Sequence, residues 1–235
     1  MKKIKFIPNS ETISKTKNIF TPARTELPDW YKEMPIYGNG DKKLKCPMNF
    51  STHNHTMKRC VPFLDAMTSG YTLTLDEEVF ISQTEDGPIF RWKSKDTLVT
   101  LHSPDQFEGF PIPIKYHQLV AKWHNDWSIE TPKGYSILFT HPHNRFDLPF
   151  HTISGIVDTD NYKVPVQFPF LLDYGFEGVL PIGTPVAQMI PIKREPWERK
   201  KEEYDLIDNT KRWKSLSKTF ADSYRKNFWV KKSYN

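Results

Sequence analysis

The sequence predicts a mainly β protein, a barrel or sandwich carrying an irregular N-terminal arm and a helical C-terminal tail. Between Tyr71 and Ile192, turn residues break every apolar run before helical length is reached. Nineteen prolines against ten glycines point to rigid, extended connections. The last forty or so residues switch to apolar spacings of three and four among Lys and Arg. A chain of 235 residues fits one large domain, with enough core to fold without a disulfide or metal staple.

The arm spans residues 1–62. Pro22, Pro28, Pro35, Pro47 and Pro62 recur there without helical or alternating periodicity, and Pro28-Asp29-Trp30-Tyr31 is a short turn that plants aromatics. Phe20, Trp30, Tyr31, Phe50 and Phe63 offer much apolar area, so the expectation is an ordered arm wrapped over a core.

The β core spans residues 63–192. Its expected strands are Tyr71–Leu75, Val79–Ser82, Ile89–Trp92, Leu98–His102, Trp127–Glu130, Tyr135–Thr140, Ile153–Val157, Val164–Phe170 and Val186–Ile192. Pro, Gly, Asp and Asn separate them. Many short strands with no helical pattern between them argue for an all-β layer architecture.

The tail spans residues 193–235 and is basic and amphipathic. Trp213, Leu216, Phe220, Tyr224 and Phe228 form one apolar stripe, and Asp208-Asn209-Thr210 suits a helix N-cap. Burial of this stripe would pack the tail on the β core. The chain's net charge is +5, yet the tail alone holds 13 Lys and Arg against 7 Asp and Glu, leaving −1 for the rest. The basicity belongs to the tail.

Two cysteines, Cys46 and Cys60, without CxxC spacing, read as free thiols in a reducing compartment. No stretch reads as a signal peptide or a bilayer span, so the expectation is a soluble cytoplasmic protein with no membrane partner, in a bacterial host if phage-encoded.

The richest stretch chemically is Gly155-Ile156-Val157-Asp158-Thr159-Asp160-Asn161-Tyr162, followed by Gly183-Thr184-Pro185-Val186-Ala187-Gln188. Asp158 and Asp160 stand two apart at the end of an apolar strand, which in extended geometry aims them the same way. Such a pair raises one another's pKa or shares a cation such as Mg²⁺. All four residues of Asp-Thr-Asp-Asn also favour plain turns.

These two segments resemble the third and fourth motifs of the dUTPase and dCTP deaminase (β-clip) superfamily. Ser69-Gly70-Tyr71-Thr72-Leu73 is similar to its first motif, and Pro132-Lys133-Gly134-Tyr135 to the element before its second. The resemblance covers about half the chain, from Met67 to Pro191. It implies a β-clip fold, a trimer with sites between subunits, and a nucleotide or similar phosphorylated ligand. By the same resemblance Asp158 would activate water, with Asp160 as its neighbour or metal partner and Mg²⁺ as cofactor if catalysis survives. Tyr162 would face the sugar, Gln188 would contact phosphate, and Arg145 would add a compensating charge. The chain departs from the pattern where phosphates are held. Pro142-His143-Asn144-Arg145 stands in place of an Arg-Ser-Gly, and no glycine follows Gly183, so a glycine-rich closing loop cannot be built. The Pro-Lys-Gly-Tyr, Val-Asp-x-Asp-x-Tyr and Gly-Thr-Pro-x-Ala-Gln elements also resemble those of a phage and bacterial protein family.

A second constellation is His141-Pro142-His143 with Asp147 and His151 close by, a donor set suited to Zn²⁺ or Fe²⁺. Its spacing resembles the first cupin motif. The second cupin motif lacks its histidine, because Val186 stands there. Without a metal, these histidines cap and hydrogen-bond around loops. His53 and His55 form a further HxH with no nearby acid, read as a polar turn.

Lys and Arg interleave with Trp197, Trp213, Phe228, Trp229 and Tyr234, but the helical stripe and seven acids argue against nucleic-acid binding. Three functions remain open: a β-clip protein that binds a nucleotide or similar phosphorylated small molecule, with or without hydrolysing it by carboxylate-activated water, a non-catalytic phage accessory or structural binding protein, and a cupin-like His-ligated metal enzyme.

Overall fold

The computed structural model describes residues 2–11, 19–38, 55–217 and 223–234. Cys46, Phe50, His53 and Phe220 lie outside them, as do the side chains of Trp213 and Leu216, and with them most of the expected tail stripe. The chain divides into two compact units. One unit comprises residues 1–26, 67–194 and Tyr234; the other comprises residues 27–66 and 195–233 with Asn235.

The first unit is a set of open antiparallel sheets. Strands β1 (Lys5–Pro8) and β2 (Phe20–Pro22) come from the arm, which is therefore not irregular throughout. The others are β3 (Tyr71–Thr74), β4 (Val79–Thr84), β5 (Gly87–Arg91), β6 (Val99–Leu101), β7 (Ala121–Trp123), β8 (Trp127–Glu130), β9 (Tyr135–Thr140), β10 (Phe150–Thr152), β11 (Gly155–Val157), β12 (Phe168–Leu172), β13 (Gly178–Leu180) and β14 (Pro185–Lys193). They pair in the orders β11-β9-β14-β3-β2, β10-β12-β7-β6, β13-β4-β5 and β1-β8, and none of these sheets closes into a barrel.

The five-stranded sheet positions the candidate site. β14 lies between β9 and β3, and its first five residues are all buried, as a near-continuous apolar run on a central strand requires. Pairing with β3 ends at Met189, so Pro191 sits where no ladder on that side needs its missing N–H. The register with β9 sets Gln188 opposite Thr140 and Ile192 opposite Ser136. β11 covers the other side of β9, with Val157 opposite Ile137.

The core is aromatic. Trp123 stacks on Phe170 at 4.0 Å between centroids, and Phe150 meets both rings edge-on at 5.3 and 5.7 Å. Ile137, Phe139, Val186 and Met189 complete it from the five-stranded sheet. Gly70, which leads into β3, holds a left-handed φ of +74°, and a Cβ there would lie 1.9 Å from the carbonyl oxygen of Met189. Only glycine permits that approach of chain to β14.

The second unit contains α1 (Asp29–Glu33), α3 (Leu206–Ser217) and α4 (Ser223–Asn227), and the boundary between units falls inside α2 (Val61–Thr68). Tyr31 is buried against Trp30 and Phe63. Asp205, rather than Asp208-Asn209-Thr210, caps α3: its Oδ1 accepts from the backbone N–H of Ile207 at 2.8 Å and of Asp208 at 3.0 Å. Asp208 and its neighbours lie inside the helix. The Trp229 indole donates to Asp65 at 2.8 Å, so a residue of the tail packs within this unit on one from the start of the expected β core. Among the described residues no helix is long and apolar enough to cross a membrane.

Candidate functional site: a carboxylate turn clamped by arginine

The turn after β11 is built by backbone bonds from the N–H groups of Asn161 and Tyr162 to the Asp158 carbonyl, at 2.9 and 2.8 Å. Thr159 points inward, fully buried, and its hydroxyl meets that of Thr131 at 2.8 Å. The inward threonine leaves both aspartates facing Arg194, the residue after β14. Arg194 reaches them because its own N–H bonds the Gly134 carbonyl at 2.9 Å, extending the β9–β14 register by one residue.

The two carboxylates are held differently. Asp160 takes Arg194 side-on, Nη1 to Oδ1 at 2.9 Å and Nη2 to Oδ2, with a further bond from the Gly134 N–H at 2.8 Å. Its side chain is only 4% exposed. The guanidinium and then the Gly134 amide push the Asp160 pKa down to about 2. Asp158 is 57% exposed; its Oδ1 accepts from the Ser136 hydroxyl at 2.6 Å and lies 3.1 Å from Arg194 Nη1. Tyr162 is half-exposed beside the turn.

The structure does not bring Gln188 to this turn. Ser136, which bonds Asp158, lies opposite Ile192, whereas Gln188 is four residues away along the same strand, about 13 Å. Gln188 is 1% exposed and serves the backbone. Its Oε1 accepts from the His143 N–H at 2.8 Å, and its Nε2 donates to the Ser69 carbonyl at 2.6 Å. Arg145 is likewise committed at the far end, to Asp147, through Nε at 2.9 and 3.1 Å and Nη2 at 2.8 Å. The residues expected to make one ligand site are split between two ends of a sheet.

The histidines cluster without converging. His141 and His151 rings lie 4.6 Å apart. The Nδ1 of His141 accepts from the Thr152 N–H at 3.3 Å, so its Nε2 carries the proton and donates to the Arg145 carbonyl at 3.1 Å. Burial pushes its pKa down to about 4, consistent with a neutral ring whose two nitrogens are both in use. The Nδ1 of His143 is buried without a hydrogen-bond partner. Among the described residues no three His, Cys, Asp or Glu side chains are placed to hold a metal ion. At the aspartate pair, a cation would sit against the Arg194 guanidinium that already contacts both carboxylates.

Arg194 is the residue that sequence reasoning missed. Its signal is positional, a cation one step beyond a long apolar strand, and it acquires meaning only through the β9–β14 register. In the same unit, a cavity lined in part by Asp76, His124 and Asp126 encloses about 40 Å³, far below the 300–1,000 Å³ usual for small-molecule sites. Burial first, and then neighbouring acids, raise the Asp76 pKa.

No protein-family model matches the sequence, and no curated protein matches it. Among solved structures, the chain is similar to the native EIAV dUTPase at 15% identity, over 57% of this chain and 87% of that one, with a TM-score of 0.32. It is similar to a mutant dUTPase from phage phi11 of S. aureus at 12% identity, over 73% and 96%, with a TM-score of 0.32. A mutant dUTPase of Staphylococcus bacteriophage 80alpha gives 12% identity over 70% and 96%, with a TM-score of 0.31. The resemblance to dUTPases is distant.

Proposed function

We propose that this chain is a non-catalytic binding protein built on a dUTPase-like β core, in which the Asp158 turn is architecture. One observation carries this reading. Every polar side chain that hydrolysis would need is already bonded within the fold: Asp160 and Asp158 to Arg194, Gln188 to two backbone groups, Arg145 to Asp147. A water-activating carboxylate must orient its water, and here the Ser136 hydroxyl and the Arg194 guanidinium already occupy Oδ1 of Asp158.

The second reading, phosphate-ester hydrolysis, is favoured by one feature. Both contacts of Asp158 fall on Oδ1, and the residue is exposed, so Oδ2 faces solvent and can orient a water. One experiment separates the readings. The protein is incubated with deoxynucleoside triphosphates and Mg²⁺, and phosphate and pyrophosphate release are followed beside the Asp158→Asn variant. The expected result is no turnover by either protein, both of them folded. Release by the parent that Asp158→Asn abolishes would overturn the proposal.

A further inference from the structure

The end of the β unit at which β14 finishes is a basic surface. Lys2, Lys3, Lys5, Lys133 and Lys163 are exposed there, around the carboxylate of Glu130. We propose that this surface binds the phosphodiester backbone of nucleic acid without reading its sequence. The inference goes beyond the reading of the Asp158 turn, and holds whether that turn is architecture or catalyses a reaction.

The lysines stand on anchored backbone, and one carboxylate does not cancel them. Lys5 opens β1 and lies opposite Glu130 in the β1–β8 register. Its Nζ donates to Glu130 Oε2 at 3.3 Å, while Lys163 lies 3.7 Å from Oε1 of the same carboxylate. Both lysines stay largely open to solvent, 68% and 61% exposed. Lys133 sits on the turn between β8 and β9. The Tyr135 N–H closes this turn onto the Pro132 carbonyl at 3.1 Å, and the Thr131 hydroxyl donates to the Tyr135 carbonyl at 3.0 Å. Lys2 meets the Tyr135 hydroxyl and lies 4.2 Å from the centre of its ring, a contact that fixes an ammonium without neutralising it.

Charge is also separated within the unit. These five lysines and Arg194 stand with three acids, Glu130, Asp158 and Asp160, a balance of +3, whereas the rest of the unit holds ten Lys and Arg against fourteen Asp and Glu, or −4. Asp76-Glu77-Glu78 belongs to that negative part. It follows Leu75, whose N–H donates to the Thr184 carbonyl at 2.9 Å, where β14 starts rather than where it ends. A polyanion is therefore drawn to one end of the unit before it makes any contact. Anchored on Tyr135, on Glu130 and on a turn, the lysines suit a chain of anions rather than one phosphate, and as point charges they take phosphate without selecting a base. A lipid surface fits less well, because its continuous negative plane would press on Asp158, 57% exposed beside the lysines. A nucleic-acid strand is a line of charge that can pass it by.

Fluorescence anisotropy of the full-length protein tests this with a labelled random-sequence DNA duplex and with one of its strands alone, over a series of salt concentrations. Binding should weaken as salt rises, with a log–log slope of about −0.9 per lysine engaged on the duplex and about −0.7 on the single strand, which tells the two forms apart. The double variant Lys133→Gln, Lys163→Gln should stay folded, bind at least about fivefold more weakly at low salt, and lose about 1.4–1.8 from the magnitude of that slope. Arg199→Gln with Lys201→Gln, two exposed cations of the tail, should leave binding within about twofold of the parent. No binding of either DNA would refute the surface, whatever the outcome at Asp158. So would a loss in the tail variant as large as that in the Lys133, Lys163 variant, which would assign the binding to net charge or to the tail. Binding to phosphatidylserine vesicles but to neither DNA would also refute it, in favour of a membrane contact.

Discussion

Arg194 grips Asp160 in parallel, with Nη1 on Oδ1 at 2.9 Å and Nη2 on Oδ2, and the same guanidinium lies 3.1 Å from Asp158. Sharing one cation between two acids ties the end of β14 to the turn after β11. It also makes the turn sensitive to acid in a defined range. The folded Asp160 titrates at about 2, below the ~3.9 of a free aspartate. Its stabilising contribution is therefore complete above pH ~4 and lost as pH falls through 2. In acid titrations followed by circular dichroism, Arg194→Gln should flatten this limb of the stability curve.

His141 governs a separate range. Its folded pKa of about 4 lies below the 6.5 of a free imidazole, so between these values the unfolded chain binds a proton that the folded chain refuses. Stability should fall as pH drops from 6.5 towards 4, by on the order of 3 kcal/mol, and level off below. Urea denaturation at stepped pH checks this, and His141→Gln should reduce the slope without touching the Asp160 limb; burial also lowers the pKa values of His117, His124 and His151, which keep the rest of it.

Gln188→Leu should destabilise the β unit by about 2–4 kcal/mol, since it strands the buried His143 N–H and Ser69 carbonyl. Chemical denaturation measures it. Any ligand binding by the folded fraction should be unchanged, which separates a structural glutamine from a phosphate contact.

Two glycines should behave oppositely on replacement by alanine. At Gly70 the new Cβ would meet a backbone oxygen of β14 at 1.9 Å, so Gly70→Ala should cost more than about 4 kcal/mol and fail to give folded protein. Gly183 shares the left-handed φ, at +85°, with nothing near its Cβ direction, so Gly183→Ala should cost only about 1–2 kcal/mol. Thermal melts of the two variants decide it.

Local pattern made most of the β core legible. Trp127–Glu130 and Tyr135–Thr140 match their expected bounds, because apolar runs between turn residues mark strands wherever one face is buried. β7, β10 and β13, three residues each, carry too little periodicity to read, and their partners supply what the pattern lacks. The strands of the arm were hidden for another reason. Phe6 and Phe20 stack at 4.3 Å, yet they belong to two strands whose partners, β8 and β3, lie far from them in sequence. At the candidate site, the turn and its two aspartates were readable as residue types, but the distance from Asp158 to Gln188 was not. It depends on which residue of β14 faces which residue of β9, and a motif written along one chain does not contain that register.

The clamp at Arg194 has a consequence for amide exchange. A long strand ordinarily frays from its free end, and exposed terminal amides exchange first. Here the residue that follows β14 donates its N–H to Gly134 and is held through its side chain by two carboxylates. Deuterium uptake should therefore stay slow along β14 up to Arg194, so that the sheet does not unzip from that end of the strand.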